Sequence, residues 1–165
     1  WSYYYLKKFS KFNNLKKFTV FETKPIVNMM KKIPLTKKIK FDYNINKIGK
    51  FDLLYSNSTF QYILDDEHIK HYINKCDPKY ILLEDLLIGN FRDFFTNQVY
   101  FDKNIKVKFR NEKKFIKLLE KMNYEVIFME NYISKHRGIF QKLPMNGFSK
   151  KYKIDYSKSI FLKKK

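Results

Sequence analysis

Four acidic residues in this chain close short apolar runs, a placement that gives a carboxylate work an acid on an open surface lacks. Glu22 ends Phe18-Thr19-Val20-Phe21, Asp42 ends Ile39-Lys40-Phe41, and Glu84-Asp85 follow Tyr80-Ile81-Leu82-Leu83. At the carboxyl end of a strand in an open α/β sheet, such a group can accept hydrogen bonds from ribose hydroxyls, accept from an amino group, or take a proton. Glu22 reads as a ribose ligand, set against the plainer reading of an exposed acid at a strand end. Asp42 reads as an acceptor for an adenine amino group or as the cap of a turn. His68, Glu84 and Asp85 are the candidate bases, with Glu84 ahead on position. Between these ends lies Ser56-Asn57-Ser58-Thr59-Phe60-Gln61-Tyr62, a dense polar loop after the apolar run Phe51–Tyr55.

Other chemistries fall away. His68 and His71 are three apart on one helix, but no third ligand and no His-Glu-x-x-His pattern accompanies them, so no metal site is expected. Cys76 is the only cysteine, which excludes an internal disulfide or a cysteine zinc site and fits a reducing compartment. It shares an apolar helical face with Ile69, Tyr72 and Ile73 and reads as a core residue. The net charge of +19 invites binding to nucleic acid. Only Arg92, Arg110 and Arg137 are arginines, however, and the wealth of Lys, Asn, Ile, Tyr and Phe is that of AT-rich codons. A phosphate-binding face would favour the guanidinium fork. Lys163, Lys164 and Lys165 read as a solvated tail.

The elements that must carry these residues follow from hydrophobic period, which alternates between strands and helical faces along the chain. A hydrophobic content of 44% over 165 residues suits one domain, 1–165, with a real core. Tyr5, Phe9 and Phe12 predict a first helix, and Phe18–Phe21 a strand. Thr23 and Pro25 open a helix burying Ile26, Val27, Met30 and Ile33. Ile39–Phe41 and Phe51–Tyr55 are strands; Asp65 or Asp66 caps a helix through Ile69, Tyr72, Ile73 and Cys76 that Asp77-Pro78 ends. Tyr80–Leu83 is a strand, the aromatic stretch from Leu86 to Lys108 reads as irregular, and Phe115, Leu118, Leu119 and Met122 mark the clearest amphipathic helix. The strand Tyr124–Met129 connects through Gly138, Pro144 and Gly147 to Ser159–Leu162, with no helical pattern between them, so this final pair should be antiparallel. The expected architecture is a doubly wound sheet with helices on both faces and sites at its strand ends. No apolar run approaches the ~18 residues of a membrane span, and a cytoplasmic protein is expected.

The order Phe18 to Glu22, Phe51 to Ile63, then Tyr80 to Asp85 resembles a family of S-adenosylmethionine-dependent methyltransferases often encoded among surface-polysaccharide genes. There the second strand reads like Val-Val-Glu and the fourth ends in Ser-x-Ser-Leu-Gln-Tyr. Ser56-Asn57-Ser58-Thr59-Phe60-Gln61-Tyr62 looks like that motif with its spacing altered, and Lys108-Phe109-Arg110-Asn111 to Phe115 looks like the later Phe-Asn-Arg-Glu-Glu-Phe segment. The resemblance spans nearly the whole chain. It implies a Rossmann-like class I methyltransferase sheet, mostly parallel with an antiparallel last strand, and S-adenosylmethionine as cofactor. It further implies cofactor contacts at Glu22, Asp42, Tyr43, Ser56, Asn57 and Ser58, an acceptor side at Gln61 and Tyr62, and a small-molecule or saccharide acceptor.

Two departures stand out. Leu83-Glu84-Asp85-Leu86 replaces the family's Arg-Thr-Pro run, and no glycine precedes Gly49. The ribose acid of such folds lies about 20 residues beyond a glycine turn, which puts that turn at or before Trp1. The chain is therefore expected to be a piece lacking its first strand and glycine loop. No Asn/Asp-Pro-Pro-Tyr/Phe tetrapeptide follows the Phe51 strand, which favours an oxygen acceptor over an amino group. A basic nucleic-acid-binding module, or an RNA or DNA methyltransferase, is the alternative, and a cofactor-free methyltransferase-like scaffold a third.

Overall fold

The structure, a computed structural model, describes residues 14–33, 37–136 and 139–165. The helix expected through Tyr5, Phe9 and Phe12 lies outside the described residues. The chain divides into two compact units, Trp1–Lys50 and Phe51–Lys165.

The first unit is a strand, a helix and a parallel strand: β1 (Phe18–Phe21), α1 (Lys24–Met30) and β2 (Ile39–Asp42). Thr23 stands at the N-cap in extended conformation and Pro25 supplies the preset φ of the first turn. The Thr23 hydroxyl makes no capping bond; the first helical turn closes through Val27 N–H to Thr23 O at 3.0 Å. Val27 and Met30 are the buried side chains of α1. β1 and β2 run in register from Phe18 opposite Ile39 to Phe21 opposite Asp42, which brings their carboxyl ends side by side.

The second unit begins with β3 (Leu53–Asn57), α2 (Asp66–Cys76) and β4 (Tyr80–Leu86). β3 and β4 are parallel, from Leu53 opposite Tyr80 to Asn57 opposite Glu84. Asp65 is the N-cap of α2, its carboxylate accepting from Glu67 N–H at 3.0 Å. Asp77 ends the helix in the left-handed region, φ 42°, with its N–H on Ile73 O, and Pro78 prevents continuation. Next come β5 (Ile88–Gly89), β6 (Phe94–Tyr100), β7 (Lys103–Asn111), α3 (Glu112–Lys121), β8 (Tyr124–Tyr132), the short antiparallel pair β9 (Lys135–His136) and β10 (Ile139–Phe140), and β11 (Ser157–Lys164). β11 inserts between β4 and β8 and runs antiparallel to both, giving the order β3-β4-β11-β8. The expected antiparallel closing pair is present.

Helical period serves the sequence reading well here. Ile69, Ile73 and Cys76 of α2 and Phe115 and Leu119 of α3 are buried, joining Ile81, Leu83, Tyr124, Ile160 and Leu162 in the core. Two expectations need correction. Among the described residues three strand pairings are parallel and four antiparallel, so the sheets are mixed rather than mostly parallel. The stretch 86–108, expected to be irregular, holds β5 and most of an antiparallel hairpin, β6 and β7. Its period-2 signal is missing because residues 97–106 are exposed on both faces, while the base packs as a second cluster of Phe91, Val107, Phe109 and Met145. Gly89 lies so close to that cluster that a Cβ would stand 2.5 Å from the Phe91 ring and 2.8 Å from Ile154, so only glycine fits without displacement. Among the described residues no helix is long and apolar enough to cross a membrane, and no three His, Cys, Asp or Glu side chains are grouped to hold a metal ion.

Candidate functional site

In the first unit the two strand-end acids are neighbours through the backbone. Glu22 N–H donates to Asp42 O at 3.1 Å, extending the parallel ladder by one bond. The Glu22 side chain is exposed and uses Oε2 to accept from Thr23 N–H at 3.2 Å. Asp42 is nearly buried; Oδ1 accepts from Asn44 N–H at 3.0 Å and Oδ2 pairs with Lys40 Nζ at 2.8 Å. The Lys40 hydrogen bond, followed by the Asn44 N–H, holds this carboxyl below the usual carboxylate range. Asp42 therefore does cap a turn, one of its two expected roles, and keeps further lone pairs on each oxygen. Tyr43, next in the chain, is 44% exposed with Lys24 Nζ 5.8 Å from its ring centroid.

In the second unit the decisive feature is a bulge. Lys158 lies opposite Leu86 and Ile160 opposite Leu83, so Glu84 and Asp85 together face the single residue Ser159. Asp85 absorbs the extra residue with φ 55°, a left-handed conformation that Asp tolerates better than most. A bulge re-aims side chains, and here the Asp85 carboxylate is held between two hydroxyls. Ser58 Oγ donates to Oδ2 and Ser157 Oγ to Oδ1, each at 2.5 Å. Ser58 itself has φ 53°, follows directly on β3, and is anchored by its N–H on Glu84 O. Its hydroxyl also lies 2.8 Å from Asn57 Oδ1, so its one proton is shared between two acceptors. Glu84 is occupied differently: Oε2 accepts from the Tyr55 hydroxyl at 2.7 Å and from Asn57 Nδ2 at 3.2 Å. Burial, reinforced by Glu84, pushes the Tyr55 hydroxyl well above the ordinary tyrosine range, so it stays a donor.

Ser58, Asp85 and Ser157 open on a cleft of about 300 Å³ whose walls include Tyr132, Gln141, Pro144 and Tyr156. Glu84 is not among the lining residues. Among the described residues neither Glu84 nor Asp85 forms an ion pair, whereas Asp66, Asp93 and Asp155 each hold a lysine. Lys142 also lines this cleft, with its ammonium held by Asp155 at 2.9 Å. Ser157 and the cleft wall were invisible to sequence reasoning because they lie about 70 to 100 residues beyond the Ser56 loop. Their only signal was the antiparallel closing strand itself.

The remaining candidates scatter. Ser56 is half-buried on β3 and Asn57 bridges Glu84 to the Tyr132 hydroxyl, 3.3 Å from its Nδ2. Gln61 is buried, with Oε1 lacking a hydrogen-bond partner among the described residues. The Tyr62 hydroxyl donates to Gln98 Oε1 at 2.8 Å, and burial, followed by the nearby charges of Asp85 and Tyr100, raises its pKa. His68 is exposed in the first turn of α2, not beyond a strand end, and none of the hydrogen bonds around Glu84 and Asp85 involves it. The turn Phe60–Tyr62 is tied to β7 by Arg110, which donates to Phe60 O at 2.9 Å and to Ile63 O. Arg110 and Lys108 in turn share Asp66 Oδ1, at 3.1 and 2.9 Å.

No protein-family profile and no curated protein matches the sequence. Solved structures do match by fold. A protein from Listeria monocytogenes assigned as an S-adenosylmethionine-dependent methyltransferase superposes with TM-score 0.61 at 10% identity, over 91% of this chain and 81% of that one. An S-adenosylmethionine-dependent methyltransferase from Mesorhizobium loti gives 0.58 at 8% identity, over 90% and 81%. One from Methanosarcina mazei gives 0.58 at 12%, over 88% and 81%. At these identities the likeness is one of fold: the chain is an α/β protein with mixed sheets, built as these methyltransferases are.

Proposed function

We propose that this chain is a Rossmann-like class I methyltransferase domain, spanning 1–165 and acting in the cytoplasm, that moves a methyl group from S-adenosylmethionine to an oxygen of a small hydroxylated acceptor, a saccharide among the candidates. The fold likeness supports the class of reaction. The observation that carries the acceptor chemistry is the Asp85 carboxylate, gripped by Ser58 and Ser157 in the lining of a cleft whose one described lysine, Lys142, is paired with Asp155.

The donor set of the first unit fits the cofactor. Two carboxylates end adjacent parallel strands, one exposed and one with lone pairs to spare, as a nucleoside with vicinal hydroxyls and an exocyclic amine requires. Glu22 would accept from the ribose hydroxyls and Asp42 from the adenine amino group, with Tyr43 as a further contact for the base. When bound, the cofactor supplies a methyl on a sulfonium, a group that needs no further activation. The protein's remaining work is positioning and proton removal. Asp85 takes the acceptor hydroxyl proton on a free lone pair, while Ser58 and Ser157 keep its two oxygens from rotating. Asp85 displaces Glu84 as the preferred base because Asp85 lines the cleft and Glu84 does not. The family resemblance adds Ser56 and Asn57 as further cofactor contacts and Gln61 and Tyr62 as acceptor contacts.

Incubation with methyl-tritiated S-adenosylmethionine and a panel of hydroxylated and amino compounds, sugars included, checks this. Label is expected in ether products. Label confined to N-methyl products would remove the oxygen acceptor, and no incorporation at all would favour the cofactor-free scaffold.

A further inference from the structure

The hairpin of β6 and β7 leaves its apolar apex uncovered. Every residue from Asn97 to Lys106 is exposed, on both faces, whereas Val107, Lys108, Phe109 and Arg110 at the base are buried. At the apex Val99, Tyr100 and Phe101 are consecutive and 72%, 58% and 87% exposed, with Ile105 across the hairpin at 36%. Three adjacent large apolar side chains held out in water are a cost unless something covers them. Phe101 also sits in the two-residue turn with φ 54°, a place that favours Asn or Gly. Lysines flank this apex: Lys103 faces Tyr100 in the ladder and Lys106 faces Asn97, with its ammonium 4.9 Å from the Phe95 ring centroid. Asp102 is the one acid from Phe94 to Lys108.

Charge narrows the occupant. A second copy of a chain of net charge +19 would bring these lysines against like charge. Successive bases of a single strand stack on ring faces that lie roughly parallel, but the Tyr100 and Phe101 rings are nearly perpendicular, at 82° with centroids 4.8 Å apart, and Val99 and Ile105 carry no ring. Hydrocarbon accepts all four side chains alike, with lysines beside them at headgroup depth. We propose that the hairpin apex, Val99-Tyr100-Phe101 with Lys103 and Lys106, docks on an anionic phospholipid surface.

Co-sedimentation of the 165-residue protein with phosphatidylcholine vesicles, with and without phosphatidylserine, tests this. Binding is expected with phosphatidylserine, weakened about tenfold by Phe101→Asn and about fivefold by Lys103→Gln. Phe101→Asn preserves the net charge and suits the turn, so general attraction of a basic protein to an anionic surface would leave it binding as the parent does. Equal binding by that variant overturns the proposal. So does a variant that keeps vesicle binding but loses affinity for single-stranded oligouridine, which would mark the apex as a base-stacking surface, or one that abolishes self-association without affecting vesicles.

Discussion

Asp85→Asn is expected to lower the rate of methyl transfer by about 10²- to 10⁴-fold, the range a positioned base contributes, with little change in the fold. The separation comes from the geometry. Asn occupies the same volume, accepts the left-handed conformation that the bulge imposes at φ 55°, and can still receive one of the two serine hydroxyls. It cannot take a proton. Transfer measured with labelled cofactor and the unfolding midpoint measured alongside distinguish the two effects. Near-normal transfer would mean that the proton leaves by another route, whereas a collapsed midpoint would mean that Asp85 serves the bulge rather than the reaction. Glu84→Gln, by contrast, should act through Tyr55 and Asn57 and leave most of the transfer rate in place.

The largest stability effect is expected at Asp66. Its carboxylate is the counterion that Arg110 and Lys108 share, and those side chains are only 4% and 8% exposed. Asp66→Ala strands two buried cations, the more so because Asp93 stands 3.7 Å from Lys108 and gives partial cover at most. Removing one member of a buried pair costs about 3–5 kcal/mol, against about 1 kcal/mol for loss of the neighbouring N-cap in Asp65→Ala. Urea unfolding of the two variants should show that order; equal losses would mean that the network contributes no more than a cap.

The same carboxylate predicts a pH response. Burial raises its pKa, but the hydrogen bonds from Lys108 and then Arg110 outweigh burial and leave it below the ordinary 3.8. A depressed pKa stabilises the fold fully above that ordinary value and progressively less as pH falls through the lower folded value. The parent protein should therefore lose stability on acidification in this window, and Asp66→Asn, already without the pair, should show a flatter curve there.

The two acids at 65 and 66 illustrate how far the sequence could be read. Both suit a helix start, and Asp65 proves to be the cap. Nothing local tells that Asp66 instead turns inward, because its partners lie more than 40 residues away on β7. Helices and the strand ends at Glu22 and Asp42 were legible because their signals are periodic or terminal, whereas Asp85, expected just past a strand end, lies inside β4, which runs on to Leu86. The hairpin was not, since a strand exposed on both faces has no alternation to detect. The choice between Glu84 and Asp85 was also beyond local pattern. It turns on a bulge against β11 and on Ser157, 72 residues downstream, whereas the sequence alone ranks the two acids only by adjacency.

Calorimetric titration with S-adenosylmethionine, in parallel for the parent protein, Glu22→Ala and Asp85→Asn, addresses the central claim most directly. The account predicts saturable binding by the parent, about tenfold weaker binding by Glu22→Ala as charge-assisted hydrogen bonds are lost, and unchanged binding by Asp85→Asn. Absence of binding, or equal affinity with and without the Glu22 carboxylate, would contradict it.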